Sequence, residues 1–272
     1  MDAFFLGDVQ PYEHFLAFLL GAPRLFMFML TAPFMGGGVV TGQLRFTVVL
    51  ACYVLLHPML LGSLPHWEDS NAATIVIFGA LIVKEVFLGM LLGLLAGMMF
   101  WTIQCAGFFI DNQRGAGQAS AADPLSGDQT SPIGSFFFQS AVYVFFSTGA
   151  FLGCLGVVYG SYEAWPVSAM LPAAILEKPD TALFFAGKVS KLALDMMLLA
   201  GPVVVACLLT DISLGLINRF ASQLNVYVLA MPIKSGIAAL LLIFYFGMLM
   251  SGAVSMFDSF GSDLRYLKAL LP

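Results

Sequence analysis

The stretch AATIVIFGALIVKEVFLGMLLGLLAGMMFWTIQCAGFFI, residues 72–110, decides the class of fold. Only Lys84 and Glu85 interrupt it with charge. A helix rises ~1.5 Å per residue, so about 20 apolar residues cross a ~30 Å hydrocarbon core. This run is far longer than one crossing needs. It is either a bent hairpin or a single long helix that extends beyond the bilayer. A membrane β-barrel is excluded as a reading, because its strands alternate apolar and polar residues over ~10-residue segments.

The rest of the chain repeats the pattern. Apolar runs cover about 14–32, 46–61, 135–160, 181–217 and 236–257. The first contains Pro23 and Arg24 and is broken by Pro33 and Gly36-Gly37-Gly38, because proline lacks a backbone donor and glycine is permissive. The run at 135–160 reads as the cleanest single span, and the run at 181–217 is again over-long. Of the 272 residues, 60% are hydrophobic and 10% charged, against roughly 25% charged in soluble domains. Mean hydropathy is +0.93. The expectation is an all-α, polytopic hydrophobic protein of long bent helices or hairpins.

Composition also narrows the function. The net charge is −5 with no block of like charges, which argues against a nucleic-acid partner. Cys52, Cys105, Cys154 and Cys207 lie mostly inside apolar runs and form no CxxC, so they read as small packing residues. His14, His57 and His66 lack metal-ligand spacing. No cofactor and no catalytic constellation are expected. The acidic start Met1-Asp2 lacks the basic region of a cleaved signal peptide, so the first apolar segment is expected to be retained.

Charges inside apolar runs constrain their surroundings, since each costs roughly 2.5–3.5 kcal/mol at a bilayer centre. Arg24, Lys84, Glu85, Lys188, Lys191, Asp195 and Asp211 are candidate buried charges. Lys188, Lys191 and Asp195 fall on one helix face, with Lys191 and Asp195 as an i,i+4 pair, and that face should meet protein or water. Gly89, Gly93 and Gly97 form GxxxGxxxG, which lets a neighbouring backbone approach closely, although glycine is also simply common in membrane helices. Arg45, Arg114 and Arg219 share one side if six single spans are counted, which favours an external N-terminus; Arg265 and Lys268 weigh the other way.

Two polar stretches carry the candidate functional residues. The first is Phe109-Ile110-Asp111-Asn112-Gln113-Arg114-Gly115-Ala116, followed by Asp123-Pro124. The second is Asn218-Arg219-Phe220-Ala221-Ser222-Gln223-Leu224-Asn225, running into Met231-Pro232-Ile233-Lys234-Ser235. Beside membrane spans such side chains need partners; the plain alternative is a solvated helix end and a snorkelling lysine. The small, nearly uncharged segment after Gly115 suits a re-entrant or pore-facing backbone. Met231-Pro232 is expected to reset the chain direction before the last span.

These two stretches resemble the T component of the type III secretion export apparatus, the SctT family, counterpart of flagellar FliR. The resemblance covers essentially the whole chain, including Arg24, Pro33 and Arg45. A proline is common in the family where Ser222 stands, which leaves the local turn less restrained here. The Asn-Pro-Thr-His self-cleavage signature of the neighbouring switch protein is absent. The resemblance implies a non-enzymatic subunit that joins the R and S components in a helical hetero-oligomer, beside the switch (U) protein. It implies a conduit for unfolded polypeptides across the bacterial inner membrane, powered by a separate ATPase and the proton-motive force. Part of the assembly would stand above the membrane plane. It further implies an R-like part at about 1–180 and an S-like part at 181–272. Asp111, Asn112, Gln113, Arg114, Asp123, Pro124, Asn218, Arg219, Gln223, Asn225, Pro232 and Lys234 then become assembly or gating candidates. The alternative is a secondary transporter or solute channel, motivated by charges such as Lys191 and Asp195.

Overall fold

The computed structural model describes residues 11–36, 40–64, 72–116, 131–170, 179–221 and 225–270. The described residues form helices and their connections. These are α1 (Pro11–Thr31), a 3-10 turn (Pro33–Met35), α2 (Gly42–Leu61), α3 (Ala72–Gln113), α4 (Pro132–Ser147), α5 (Ala150–Ala164), α6 (Pro179–Phe220) and α7 (Val226–Leu270). Five helices are long and apolar enough to cross a membrane, or up to six if α4 and α5 together make one span. The chain is a multi-pass membrane protein by that measure. Asp123, Pro124 and Gln223, with the segment after Ala116 and the Ser222 position, lie outside the described residues.

The two over-long runs are not hairpins. α3 and α6 are each one continuous helix of 42 residues, and α7 extends to 45. Two expectations are corrected. The run at 135–160 is not one unbroken helix: α4 ends at Ser147, α5 begins at Ala150, and the two are bent by 76°. Gly149 takes a φ of +74°, a left-handed conformation that glycine adopts without steric cost, and its N–H donates to the Phe146 carbonyl at 3.3 Å. Nor does Met231-Pro232 reset the chain direction. α6 ends at Phe220, the Asn225 carbonyl accepts from the Val228 and Leu229 amides, and Pro232 lies inside α7. A long membrane helix tolerates such a proline because neighbouring groups re-satisfy the freed carbonyl.

The chain divides into two compact units. The first holds α1, α2, the N-terminal part of α3 to Gly97, α5, and the two outermost ends of α6 and α7. Leu20, Phe28, Leu56, Leu60, Leu88 and Leu92 are buried there. Gly89 and Gly93 lie against α1: a Cβ at Gly89 would collide with the Arg24 carbonyl, and one at Gly93 with Thr31. Gly97 is buried on the same helix. Small residues at this spacing let two backbones approach and gain dispersion contacts.

The second unit holds the remainder of α3, α4, and most of α6 and α7. Its core contains Phe100, Phe145 and Phe257, whose ring centroids lie 5.2–5.5 Å apart, within the range of favourable aromatic pairs. α3 and α4 meet where Gly107 faces Gly134; a Cβ on Gly107 would sit 2.6 Å from the Gly134 Cα. Large apolar side chains on α6 and α7, among them Leu198, Leu209, Ile243 and Phe244, are exposed. Such a surface is stable only against lipid or another apolar chain.

Candidate functional site

In the second unit the two polar stretches come together around the end of α3. Asp111, nearly fully buried, ties α3 to α4. Its Oδ2 accepts from the Ser131 hydroxyl at 2.6 Å and from the Ile133 amide at 2.8 Å. Its Oδ1 takes Arg114 Nε at 2.7 Å and Nη2 at 2.6 Å. Ser131 caps α4, accepting from the Gly134 amide at 3.0 Å, and Pro132 occupies the first turn. A Ser-Pro pair before an apolar run is a standard helix start. The carboxylate therefore stands at the positive end of the α4 dipole and is held by the Arg114 cation as well.

Two residues past the end of α3, Gly115 has a φ of +87° in the left-handed region; its N–H donates to the Asn112 carbonyl at 3.1 Å. A glycine in this conformation is the common helix terminator. A Cβ there would also approach Met231 of α7, at 3.4 Å from its Cγ. Beside it, Lys234 of α7 reaches Asp211 of α6 at 2.5 Å and donates to the Gln113 carbonyl at 3.4 Å. One ammonium thus joins the end of α3, α6 and α7. Its site at the carbonyl end of α3 suits a cation. The Lys234 side chain is 14% exposed and that of Asp211 38%, so the tie is open to competition from water or another chain.

The other candidates on these stretches stand apart from this cluster. Asn112, Arg219, Asn218, Asn225 and Pro232 are exposed. On α6, Lys188 and Asp195 are half-buried, with the Lys188 ammonium 5.4 Å from the Phe184 ring centroid. Lys191, expected among the buried charges, is exposed: the chain leaves its part of the α6 surface open.

The first unit contains a separate, fully enclosed ion network. Arg24 of α1 pairs with Glu85 of α3 through Nε at 2.6 Å and Nη2 at 2.9 Å. It also donates to the Ser161 hydroxyl at 3.1 Å and the Trp165 carbonyl at 2.8 Å, and its guanidinium stacks 4.1 Å from the Tyr162 ring centroid. Lys84 bonds Glu85 at 2.7 Å and donates to the carbonyls of Pro166, Val167 and Ala169 at 2.8, 3.3 and 2.8 Å. The Arg24 and Glu85 side chains are 0% exposed and Lys84 is 4% exposed. This network pins the turn after α5 to α1 and α3. It is saturated by its own partners, which makes it structural.

Sequence reasoning missed several partners. Ser131 had a signal, since it precedes Pro132 at the start of an apolar run. Ser161 and the carbonyls at 165–169 had none. His14 and His57, dismissed for metal binding, share a hydrogen bond at 2.9 Å, and Tyr53 Oη lies 2.8 Å from His57 Nδ1. Among the described residues no group of three or more His, Cys, Asp or Glu side chains is assembled to hold a metal.

Comparison with known proteins places this architecture. The family described as bacterial export proteins, family 1, matches residues 15–260. The chain belongs to that family. Among curated family members it is 39% identical over 239 residues to the Yop proteins translocation protein T of Yersinia pestis, covering 88% of each chain. It is 31% identical to the surface presentation of antigens protein SpaR of Salmonella typhimurium, covering 84% of this chain and 81% of that one. It is 30% identical to the flagellar biosynthetic protein FliR of Bacillus subtilis, covering 94% and 96%. The matched span of this bacterial export protein includes both polar stretches and the Arg24–Glu85 network.

Proposed function

We propose that this chain is a structural subunit of the export gate of a bacterial type III protein secretion system. It sits in the inner membrane and assembles with R- and S-type components and the switch (U) protein. It helps form the conduit through which unfolded polypeptides cross, and it performs no catalysis itself. Its first part, to about residue 180, is R-like, and residues 181–272 are S-like. The exposed apolar faces of α6 and α7 suit burial against such partners.

The observation that carries the reading is the convergence on Lys234. A protein-conducting gate must be closed at rest and open without unfolding its scaffold. The end of α3 is fixed on one side by Asp111, which is buried and fully bonded. On the other side it is held by Lys234 through one half-exposed ion pair and one long hydrogen bond. Exposed ion pairs contribute only about 0–1 kcal/mol, so this second tie can release while the first holds. The experiment replaces the chromosomal gene with Arg114→Ala or Lys234→Ala and quantifies substrate in the culture supernatant. Strongly reduced secretion, with the variant chains still present in membranes, is the expected result. Wild-type secretion by both variants would refute the assignment of this cluster to the gate.

A further inference from the structure

Three side chains clasp the start of α1 to the end of α2. His14 is the fourth residue of α1, and His57 lies four residues before the end of α2. His14 Nδ1 meets His57 Nε2 at 2.9 Å. His57 Nδ1 in turn meets the hydroxyl of Tyr53, one turn earlier on the same face of α2, at 2.8 Å. Both imidazoles are half-buried, so solvent protons reach them, whereas Tyr53 is buried. Tyr53 is seated directly on α1: its ring packs edge-on against Phe18 at 5.1 Å, and a Cβ on Gly21 would lie 3.3 Å from its Cε2.

A neutral imidazole has one donor and one acceptor nitrogen, and an imidazolium has two donors. The neutral chain of bonds therefore closes in either direction, from Tyr53 through His57 to His14 or the reverse. One added proton is also accommodated, because His57 as imidazolium donates to both the Tyr53 oxygen and His14 Nδ1. A second proton breaks the chain: both facing nitrogens then carry N–H groups, no acceptor is left between them, and two positive charges meet. The titratable groups on the packed elements do not relieve this. Glu13 of α1 accepts from Tyr12, and the hydroxyls of Tyr159 and Tyr162 on α5 donate to the Cys52 and Gly21 carbonyls. Arg24, Lys84 and Glu85 form their own network, about 15 Å further along α1. Among the described residues no carboxylate bonds either histidine ring.

We infer that the His14–His57–Tyr53 chain is a proton-sensitive clasp that holds α1 to α2 at neutral pH and releases them in acid. The two histidines act as one coupled site. The clasp is intact with no added proton or one, and is lost with two, so its contribution falls as pH falls. Histidine is the side chain whose ordinary range makes such a device responsive near neutral pH. The release is local, because the Arg24–Glu85 network still joins α1 to α3. The inference is independent of the reading of Lys234 as part of a gate.

Amide hydrogen exchange of the full-length chain in detergent micelles tests this, read by mass spectrometry at about pH 8 and about pH 5 and corrected for the intrinsic pH dependence of exchange. That window brackets the ordinary histidine value of ~6.5 and stays above the ordinary carboxylate range. Corrected exchange over residues 15–20 and 54–61 should rise roughly two- to tenfold in acid, the equilibrium weight of one hydrogen bond, while residues 88–92 of α3 stay unchanged. His14→Asn keeps a polar atom where Nδ1 stands, and His57→Gln keeps one where Nε2 stands. Each amide can accept from a protonated partner ring, so each variant should remove the acid response. Exchange at both helix ends that ignores pH in the unmodified chain would overturn the inference. So would an acid response that survives in both variants, or one of equal size at residues 88–92.

Discussion

Glu85→Gln tests the physics of the fold most severely. Glu85 Oε2 faces Arg24 Nε at 2.6 Å, and Oε1 faces both Arg24 Nη2 at 2.9 Å and Lys84 Nζ at 2.7 Å. Glutamine has nearly the same shape, but either orientation of its amide aims an NH2 group at a cation. The substitution also leaves Arg24 and Lys84 enclosed with no counter-charge from Glu85. Since the pair is fully buried, no discount for solvent screening applies, and breaking it should cost about 3–5 kcal/mol. For a chain of this size that corresponds to a fall of roughly 10 °C in the thermal midpoint. The assay is thermal unfolding of the purified chain in detergent, followed by helical circular dichroism. Replacing both members with Arg24→Met/Glu85→Met removes the pair together, and the double variant should lose less than the sum of the two single losses. A Glu85→Gln midpoint within about 2 °C of the unmodified chain, or strictly additive losses, would refute the reasoning.

Further outcomes follow from the same geometry. Asp111→Ala removes the acceptor for the Ser131 hydroxyl, the Ile133 amide and Arg114. About 2–3 kcal/mol of local stability should be lost, seen as faster amide exchange at Ile133 and Gly134 with the rest of the chain unchanged. Gly89→Leu drives a side chain into the α1 backbone at Arg24 and should strongly lower the amount of folded chain in membranes. Gly79→Ala, with nothing within 4 Å of the added Cβ, should leave that amount unchanged.

Much of this was legible before any coordinates. Run length and low charge gave the helical membrane class, because a bilayer permits few alternatives. Arg24, Lys84 and Glu85 stood out because a charge in an apolar run is expensive. Their pairing did not, since Arg24 and Glu85 lie 61 positions apart and only the packing of α1 on α3 joins them. Lys84's partners are backbone carbonyls, which every residue carries, so no side-chain pattern announces them. The break at Thr148-Gly149 was signalled by its glycine, yet unbroken apolarity outweighed that signal. Proline at 232 misled in the other direction, because its helix-breaking tendency is muted in long membrane helices. The meeting of both polar stretches at Lys234 needed the fold: sequence showed two sets of costly groups, and structure showed that they are partly each other's partners.

The central claim is that this chain works as a gate subunit within a larger export apparatus. The most direct measurement is the composition of the complex purified through a tag on this chain from membranes of its native host in mild detergent, read by mass spectrometry. The account predicts stoichiometric recovery of R- and S-type export components with it. Recovery of the chain alone, from membranes that are actively secreting, would contradict it.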